Sequence, residues 1–279
     1  MAQPDVVIVS GNGVGSPFAL IHSIAQKVPC RVFLLCSDDL ALKTFRSSRY
    51  VTAATKVVDE TIGSFLDSID AWYRQVAFET PPILYLTSDL FCRYVAEQRE
   101  WFEKRFVLSL PSNQIVEQFT VKGVAETVAE RAGLLAPKTA VIKTEEDLHP
   151  IAGSFSFPLI LKPQAYHLRK GINFKIRVVE DDRELVEVAA PILQSGHSLL
   201  VQEYIPGGDE SACFYLFYRG RQGEIISLSG VKTLQSDPKG GIMAIGTSCY
   251  DEELDRLSRN FLKEIDYRGI GGIEFKKDR

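Results

Sequence analysis

In the first third of the chain, short β-rich runs alternate with stretches of helical period, and that alternation leaves few folds open. The runs DVVIVSG, RVFLLCS, PPILYLTS and FVLSL are separated by PFALIHSIAQKV and by stretches around Ile62 to Arg74 and Asp89 to Arg105. In those stretches the apolar residues recur at three- and four-residue steps. Strands that each hand over to a helix share a sheet when the helices cross its faces, so the pattern predicts a parallel sheet flanked by helices. Near Pro111 to Asn113 the pattern breaks, and a helix from about Gln114 to Ala132 follows, closed by Gly133 and punctuated by Pro137. A domain boundary is expected there. Beyond it the order becomes strand (Thr139 to Ile142), helix, strand (Phe157 to Lys162), polar loop, strand (Lys175 to Val179), helix (Asp182 to Leu193) and strand (Ser198 to Tyr204). Strands Phe214 to Tyr218 and Glu224 to Leu228, a helix from about Asp251 to Ile265 and a last strand near Gly272 to Phe275 complete an α+β half with no internal repeat.

Composition narrows the function classes. With 279 residues, 45% hydrophobic and 24% charged, the chain has the balance of a globular protein of about two domains. The 5 cysteines are widely spaced and form no CxxC pair, which points to buried thiols in a reducing compartment. The start MAQPDVVIVSGNG lacks a basic leader, and its apolar run from Asp5 to Ser10 is far too short to span a bilayer. A cytoplasmic protein without membrane partners is expected. A net charge of -4 and a pI near 5.7 give no footprint for nucleic acid, so phosphate binding must come from a few local lysines.

Short segments of the second half supply them. Lys122 stands at the start of a helical stretch, VKGVAETVAERAGLLAPKTAVI, where it could reach a phosphate or simply be solvated. In FPLILKP an apolar strand delivers Lys162, a charge that is costly to bury without an anionic partner. The basic loop that follows, PQAYHLRKGINF, is able to fold over a triphosphate with backbone N–H groups and Lys170 or Lys175; a plain hairpin connection is the alternative. LLVQEYIPGGDES ends a strand at Gln202, Glu203, Tyr204 and Ile205 and turns through Pro206, Gly207 and Gly208. A strand end that breaks there leaves backbone groups unpaired for an adenine edge, with Asp209 placed for ribose hydroxyls, although an acidic hairpin turn has the same sequence. In YRGIGGIEFKKD, Glu274 sits on a strand among apolar neighbours, which suits a Mg²⁺ held on nucleotide phosphates as well as it suits alternating exposure. His22, His149, His167 and His197 show no metal-ligand spacing, and only His167, in its loop, is placed to touch ligand.

Taken in order, Lys122 with its helix, FPLILKP, VQEYIPGGD and GGIEFK resemble the ATP-grasp superfamily over the whole chain. The long basic loop, the stretch GVKTLQSDPKGGIMAIGTS and the ending YRGIGGIEFKKD are most similar to predicted carboxylate-amine ligases related to D-aspartate ligase. The resemblance implies a Rossmann-like pre-ATP-grasp domain over residues 1–112, a small ATP-grasp subdomain over 113–205 and the incomplete start of a large one over 206–279. It implies that Lys122 and Lys162 contact ATP phosphates, that Gln202 to Ile205 form the adenine hinge, that Asp209 holds ribose and that Glu274 binds Mg²⁺. Lys232, in SGVKTLQ, falls where the family places a catalytic basic residue near the transferring phosphate, and Gly240 and Gly241 fall on the acceptor side. The implied reaction moves the γ-phosphoryl group of ATP to a substrate carboxylate, and an amine attacks the acyl phosphate. Positioning and charge neutralisation by lysines and Mg²⁺ suffice for that step, and no protein nucleophile is needed. The family carries a second acidic metal ligand, then an asparagine and often an arginine, on the strand after GIEFK, and this sequence ends at Arg279 before reaching it. A longer natural protein is therefore expected.

Two other readings stay open. SGNGVGS after the first strand, with Asp38 and Asp39 after the second, is similar to a nicotinamide-dinucleotide fingerprint, but its third glycine position is Ser16, followed by Pro17. A nucleotide-binding module without ligase activity would show the same lysines, hinge and glutamate.

Overall fold

The computed structural model describes residues 4–11, 13–120, 124–163, 172–235 and 243–277. They divide into two compact units, Met1–Val116 and Glu117–Arg279. In the first, strands β1 (Val6–Ser10), β2 (Val32–Cys36), β3 (Ala53–Lys56), β4 (Ile83–Leu86) and β5 (Val107–Leu108) form one parallel sheet in the order β3-β2-β1-β4-β5. Alternate residues of β1 go to opposite faces. Val6 and Ile8 meet Ile21 of α1 (Gly15–Ala25) and Leu42 and Phe45 of α2 (Asp39–Arg46). Val7 and Val9 meet Phe65, Ile69 and Trp72 of α3 (Ile62–Tyr73), Phe91 and Val95 of α4 (Asp89–Glu97) and Phe102 of α5 (Arg99–Glu103). Both faces are thus covered, as continuous apolar runs in a parallel sheet require.

Helix starts are written locally. The Asp38 side chain accepts from the Ala41 N–H at 2.6 Å, and Thr61 with Ser64 forms a capping box at α3. Asp38→Ala is expected to cost about 1 kcal/mol, seen as a lower urea midpoint with an unchanged m-value.

The helix expected from Gln114 to Ala132 is described as α6 (Asn113–Thr120), which spans the unit boundary, and α7 (Val124–Arg131). The second unit holds two antiparallel sheets. One has the order β6-β9-β7-β8, from β6 (Thr139–Ile142), β7 (Leu159–Pro163), β8 (Arg177–Val179) and β9 (Leu199–Glu203). Leu159, Leu161, Leu199 and Val201 turn to the core with Ile151 of α8 (Leu148–Ser154) and Leu185, Ala189 and Leu193 of α9 (Asp182–Gln194). The other has the order β12-β11-β10-β13, from β10 (Ala212–Arg219), β11 (Ile225–Gln235), β12 (Met243–Ser248) and β13 (Gly269–Lys276). Cys213, Tyr215 and Phe217 of β10, with Ile273 and Phe275 of β13, pack on Val128 of α7 and on Leu254, Phe261 and Leu262 of α10 (Glu252–Glu264).

Several strand limits differ from expectation. β8 starts at Arg177, so Lys175 precedes it; β11 runs on past Leu228 through Ser229 and Gly230; β13 starts at Gly269. Both of the last two contain a glycine that lies where a side chain would collide. A Cβ on Gly230 would stand 2.3 Å from the Thr247 carbonyl oxygen, and one on Gly271 would stand 2.5 Å from Phe217 Cζ. Among the described residues, no helix is long and apolar enough to cross a membrane.

Candidate active site

On β13, Ile273 and Phe275 enter the helix-facing core, so Glu274 and Lys276 leave from the opposite face of the sheet. Glu274 pairs across the ladder with Phe214, and Phe214 pairs in turn with Gly230. Two positions along β11, Lys232 comes off that same face and places its Nζ 3.0 Å from Glu274 Oε2. The lysine side chain is 6% exposed and the carboxylate side chain 71%. A buried ammonium is costly unless paired, so Glu274 offsets that cost while presenting its carboxylate to solvent. Glycine makes the approach possible: a Cβ on Gly230 or on Gly246 would meet the Phe214 ring, at 2.4 and 3.1 Å. The ring therefore lies across both glycines, over β11 towards β12.

Asp209 opens the short 3₁₀ turn Asp209–Ser211 that leads into β10. Its Oδ2 accepts from the Gln235 backbone N–H at 2.8 Å and its Oδ1 from Gln235 Nε2 at 2.9 Å. These hydrogen bonds, and then the charges of Lys232 and Lys276, hold its carboxyl below the usual carboxylate range. A carboxylate offers about four acceptor positions, so the clamp on Gln235 leaves capacity for a hydroxyl.

On the other sheet, Thr139, Gln202 and Lys162 form a ladder over β6, β9 and β7. Lys162 Nζ donates to Gln202 Oε1 at 2.7 Å, and Gln202 Nε2 donates to Thr139 Oγ1 at 2.9 Å. The strand end after Gln202 is less open than its sequence suggests. The Glu203 N–H donates to the Lys138 carbonyl at 3.0 Å and the Tyr204 N–H to the Pro158 carbonyl at 3.3 Å. Glu203 Oε2 also accepts from the Lys138 N–H at 3.3 Å. Among the described residues, the first N–H beyond β9 without a partner is that of Ile205. The turn then passes Gly207 at φ +130°, where an added Cβ would also stand 2.5 Å from Ser211 Oγ.

One side chain links this turn to the acid-bearing strand. Lys276 Nζ lies 5.0 Å from the centroid of the Tyr204 ring. Burial lowers the pKa of its ammonium, with the Asp209 charge opposing. The structure thus gathers Glu274, Lys232, Asp209 and Tyr204, and separately joins Lys162 to Gln202. Lys175 is exposed ahead of β8, while Lys122, Lys170, His167, Gly240 and Gly241 lie outside the described residues. Sequence reasoning missed Lys276, Gln235 and Thr139. Only Lys276 carried a signal, since two residues along a strand return to one face.

The donor set decides which cation suits the site. Among the described residues, no three His, Cys, Asp or Glu side chains come together. One exposed carboxylate cannot cage a metal alone, but it suits Mg²⁺, which keeps waters and phosphate oxygens as its other ligands. In the first unit, both acidic candidates for a dinucleotide ribose have partners within the protein. Asp38 caps α2, and Asp39 Oδ1 lies 2.7 Å from Lys56 Nζ.

Neither a protein-family model nor a curated protein matches the chain. Solved structures do. An L-amino acid ligase from Bacillus licheniformis superposes with a TM-score of 0.73 at 15% identity, covering 100% of this chain and 66% of its own. An N5-carboxyaminoimidazole synthetase from Staphylococcus aureus, complexed with ADP, gives 0.72 at 11% identity, with 99% and 68% covered. The biotin carboxylase domain of Hydrogenobacter thermophilus 2-oxoglutarate carboxylase, in complex with MgADP, ADP and bicarbonate, gives 0.70 at 18% identity, with 100% and 62% covered. All three are ATP-grasp ligases, and the likeness gives this chain their α/β fold. The chain spans about two thirds of the length of these structures, with 62% to 68% of each covered.

Proposed function

We propose that this chain is the nucleotide-binding part of an ATP-dependent carboxylate-amine ligase of the branch related to D-aspartate ligase. The observation that carries the reading is the Lys232–Glu274 pair on one sheet, linked by Lys276 to the Tyr204 turn of the other. A buried ammonium held beside a solvent-facing carboxylate suits a bound polyphosphate with its cation: the lysine takes the transferring phosphoryl group and Glu274 the Mg²⁺. The cation, when bound, neutralises charge on the phosphates. The Ile205 N–H meets the adenine edge within the hinge Gln202–Ile205, Asp209 accepts from ribose, and Lys162 reaches a phosphate from the end of β7. Lys122, Lys170 and Lys175 are the further phosphate contacts of this reading. Residues 1–112, 113–205 and 206–279 act as the pre-ATP-grasp domain and the two grasp subdomains. The substrates are a small-molecule carboxylate and an amine, and the acyl phosphate formed from the first is attacked by the second.

Thermal shift with Mg-ATP and with NADPH separates this reading from a dehydrogenase. A ligand at a hundred times its Kd adds about 2.7 kcal/mol, a rise of several degrees in Tm for units of this size. The expected result is a rise with Mg-ATP and none with NADPH; the reverse pattern refutes the ligase. ADP release by the full-length protein over a panel of amino acids then separates a ligase from a binding module, which would bind ATP without acceptor-dependent turnover.

A further inference from the structure

We propose that Lys276 is an additional nucleotide-contacting residue whose ammonium takes the α-phosphate. The inference rests on the nucleotide reading above and extends it to a residue that reading gives no ligand contact. Lys276 shares a face of β13 with Glu274 and stands about 7 Å further along the strand. Its side chain runs to the hinge. Nζ lies over the Tyr204 ring, and Cε lies 3.7 Å from where a Cβ on Gly207 would stand.

The neighbouring lysines already have anionic partners. Lys232 is paired with Glu274 at 3.0 Å, and Lys277 with Asp251 at 3.0 Å. Lys276 has no carboxylate within ion-pair distance among the described residues, and the Asp209 oxygens that act on it are both bound by Gln235. A partly desolvated ammonium resting on an aromatic face is a weak arrangement. An anion would replace it with a charge-assisted hydrogen bond.

Position selects the anion. A nucleotide with its base at Ile205 and its metal-bound phosphates at Glu274 passes Lys276 between the two. The first negative group after the sugar is the α-phosphate, so Lys276 reads the presence of a 5′-phosphate and neither the base nor the terminal phosphate.

The test titrates the intact chain and its Lys276→Met and Lys276→Arg variants with AMP and Mg-ATP by calorimetry, and with adenosine by ligand-observed NMR. Lys276→Met is expected to weaken AMP and Mg-ATP by a similar factor, about tenfold, corresponding to one lost charge-assisted contact. Adenosine binding should hold, and Lys276→Arg should retain most of the AMP affinity. Unchanged or tighter AMP binding to Lys276→Met overturns the proposal and marks the lysine as a plug over Tyr204; equal loss of adenosine overturns it in favour of a base contact. If the unaltered chain binds Mg-ATP while the variant matches it, this inference alone fails. Absence of binding to the unaltered chain removes the nucleotide reading itself.

Discussion

Lys232→Met is expected to lower acceptor-dependent ADP formation by about two to three orders of magnitude, the usual consequence of deleting one preorganised electrostatic group. The side chain is 6% exposed and ends 3.0 Å from Glu274, so the substitution removes the charge and nearly preserves the volume. Its effect on the fold should be small. Replacing one partner of a fully buried pair strands the other, but here the remaining carboxylate is 71% exposed and water solvates it. The ligand-free Tm of the variant is therefore expected to match that of the unaltered chain or to exceed it. A second consequence separates charge from shape. With the ammonium gone, Glu274 no longer has its ion pair, and in the presence of saturating ADP Mn²⁺ should bind more tightly than to the unaltered chain, as read by the loss of the free-Mn²⁺ signal in electron paramagnetic resonance. Turnover within about threefold of the unaltered chain would remove Lys232 from the phosphoryl-transfer role, since a group that stabilises the transition state contributes far more than that.

What the amino-acid order disclosed, and what it withheld, follows from where each element is buried. The parallel sheet was legible because β1 and β2 are covered on both faces, and VVIVS and VFLLC accordingly read as unbroken apolar runs. β3 (AATK) and β12 (MAIGTS) were not legible. They are edge strands with exposed or half-exposed residues throughout, and nothing in their packing forces a period of two. At the site, Lys232 and Glu274 were each expected from resemblance, but their 3.0 Å pairing depends on the register of β10 between β11 and β13, which no local pattern encodes. The hinge was half legible. A strand ending at Glu203 is found, yet the partners of the Glu203 and Tyr204 N–H groups are Lys138 and Pro158, far away in sequence. Only the pairing of β9 with β6 and β7 brings them there.

Gly230 joins the fold to the site most tightly, and Gly230→Ala is expected to destabilise the second unit by about 1–3 kcal/mol, the range for overpacking a filled position. The added Cβ would stand 2.3 Å from the Thr247 carbonyl oxygen and 2.4 Å from Phe214 Cζ. The ring can rotate aside, but the carbonyl belongs to the backbone of β12, which pairs with β11 through Val231 and Thr247. Relief therefore requires opening the β11–β12 ladder or tilting β11, and either movement carries Lys232 with it. Mg-ATP affinity should fall together with stability, because Phe214, displaced by the methyl group, is the ladder partner of Glu274. Adding Phe214→Leu divides the two clashes. It frees the ring side only, so the double variant is expected to recover part of the lost stability and not all of it. Full recovery would show that the Thr247 carbonyl yields at no cost. Gly15→Ala serves as the control: nothing lies within 4 Å of its added Cβ, and the change should stay within about 0.5 kcal/mol. A Gly230→Ala chain with the same urea midpoint and the same Mg-ATP affinity as the unaltered one would show that Phe214 and β12 adjust freely, and the narrow placement of Lys232 opposite Glu274 would then need another cause.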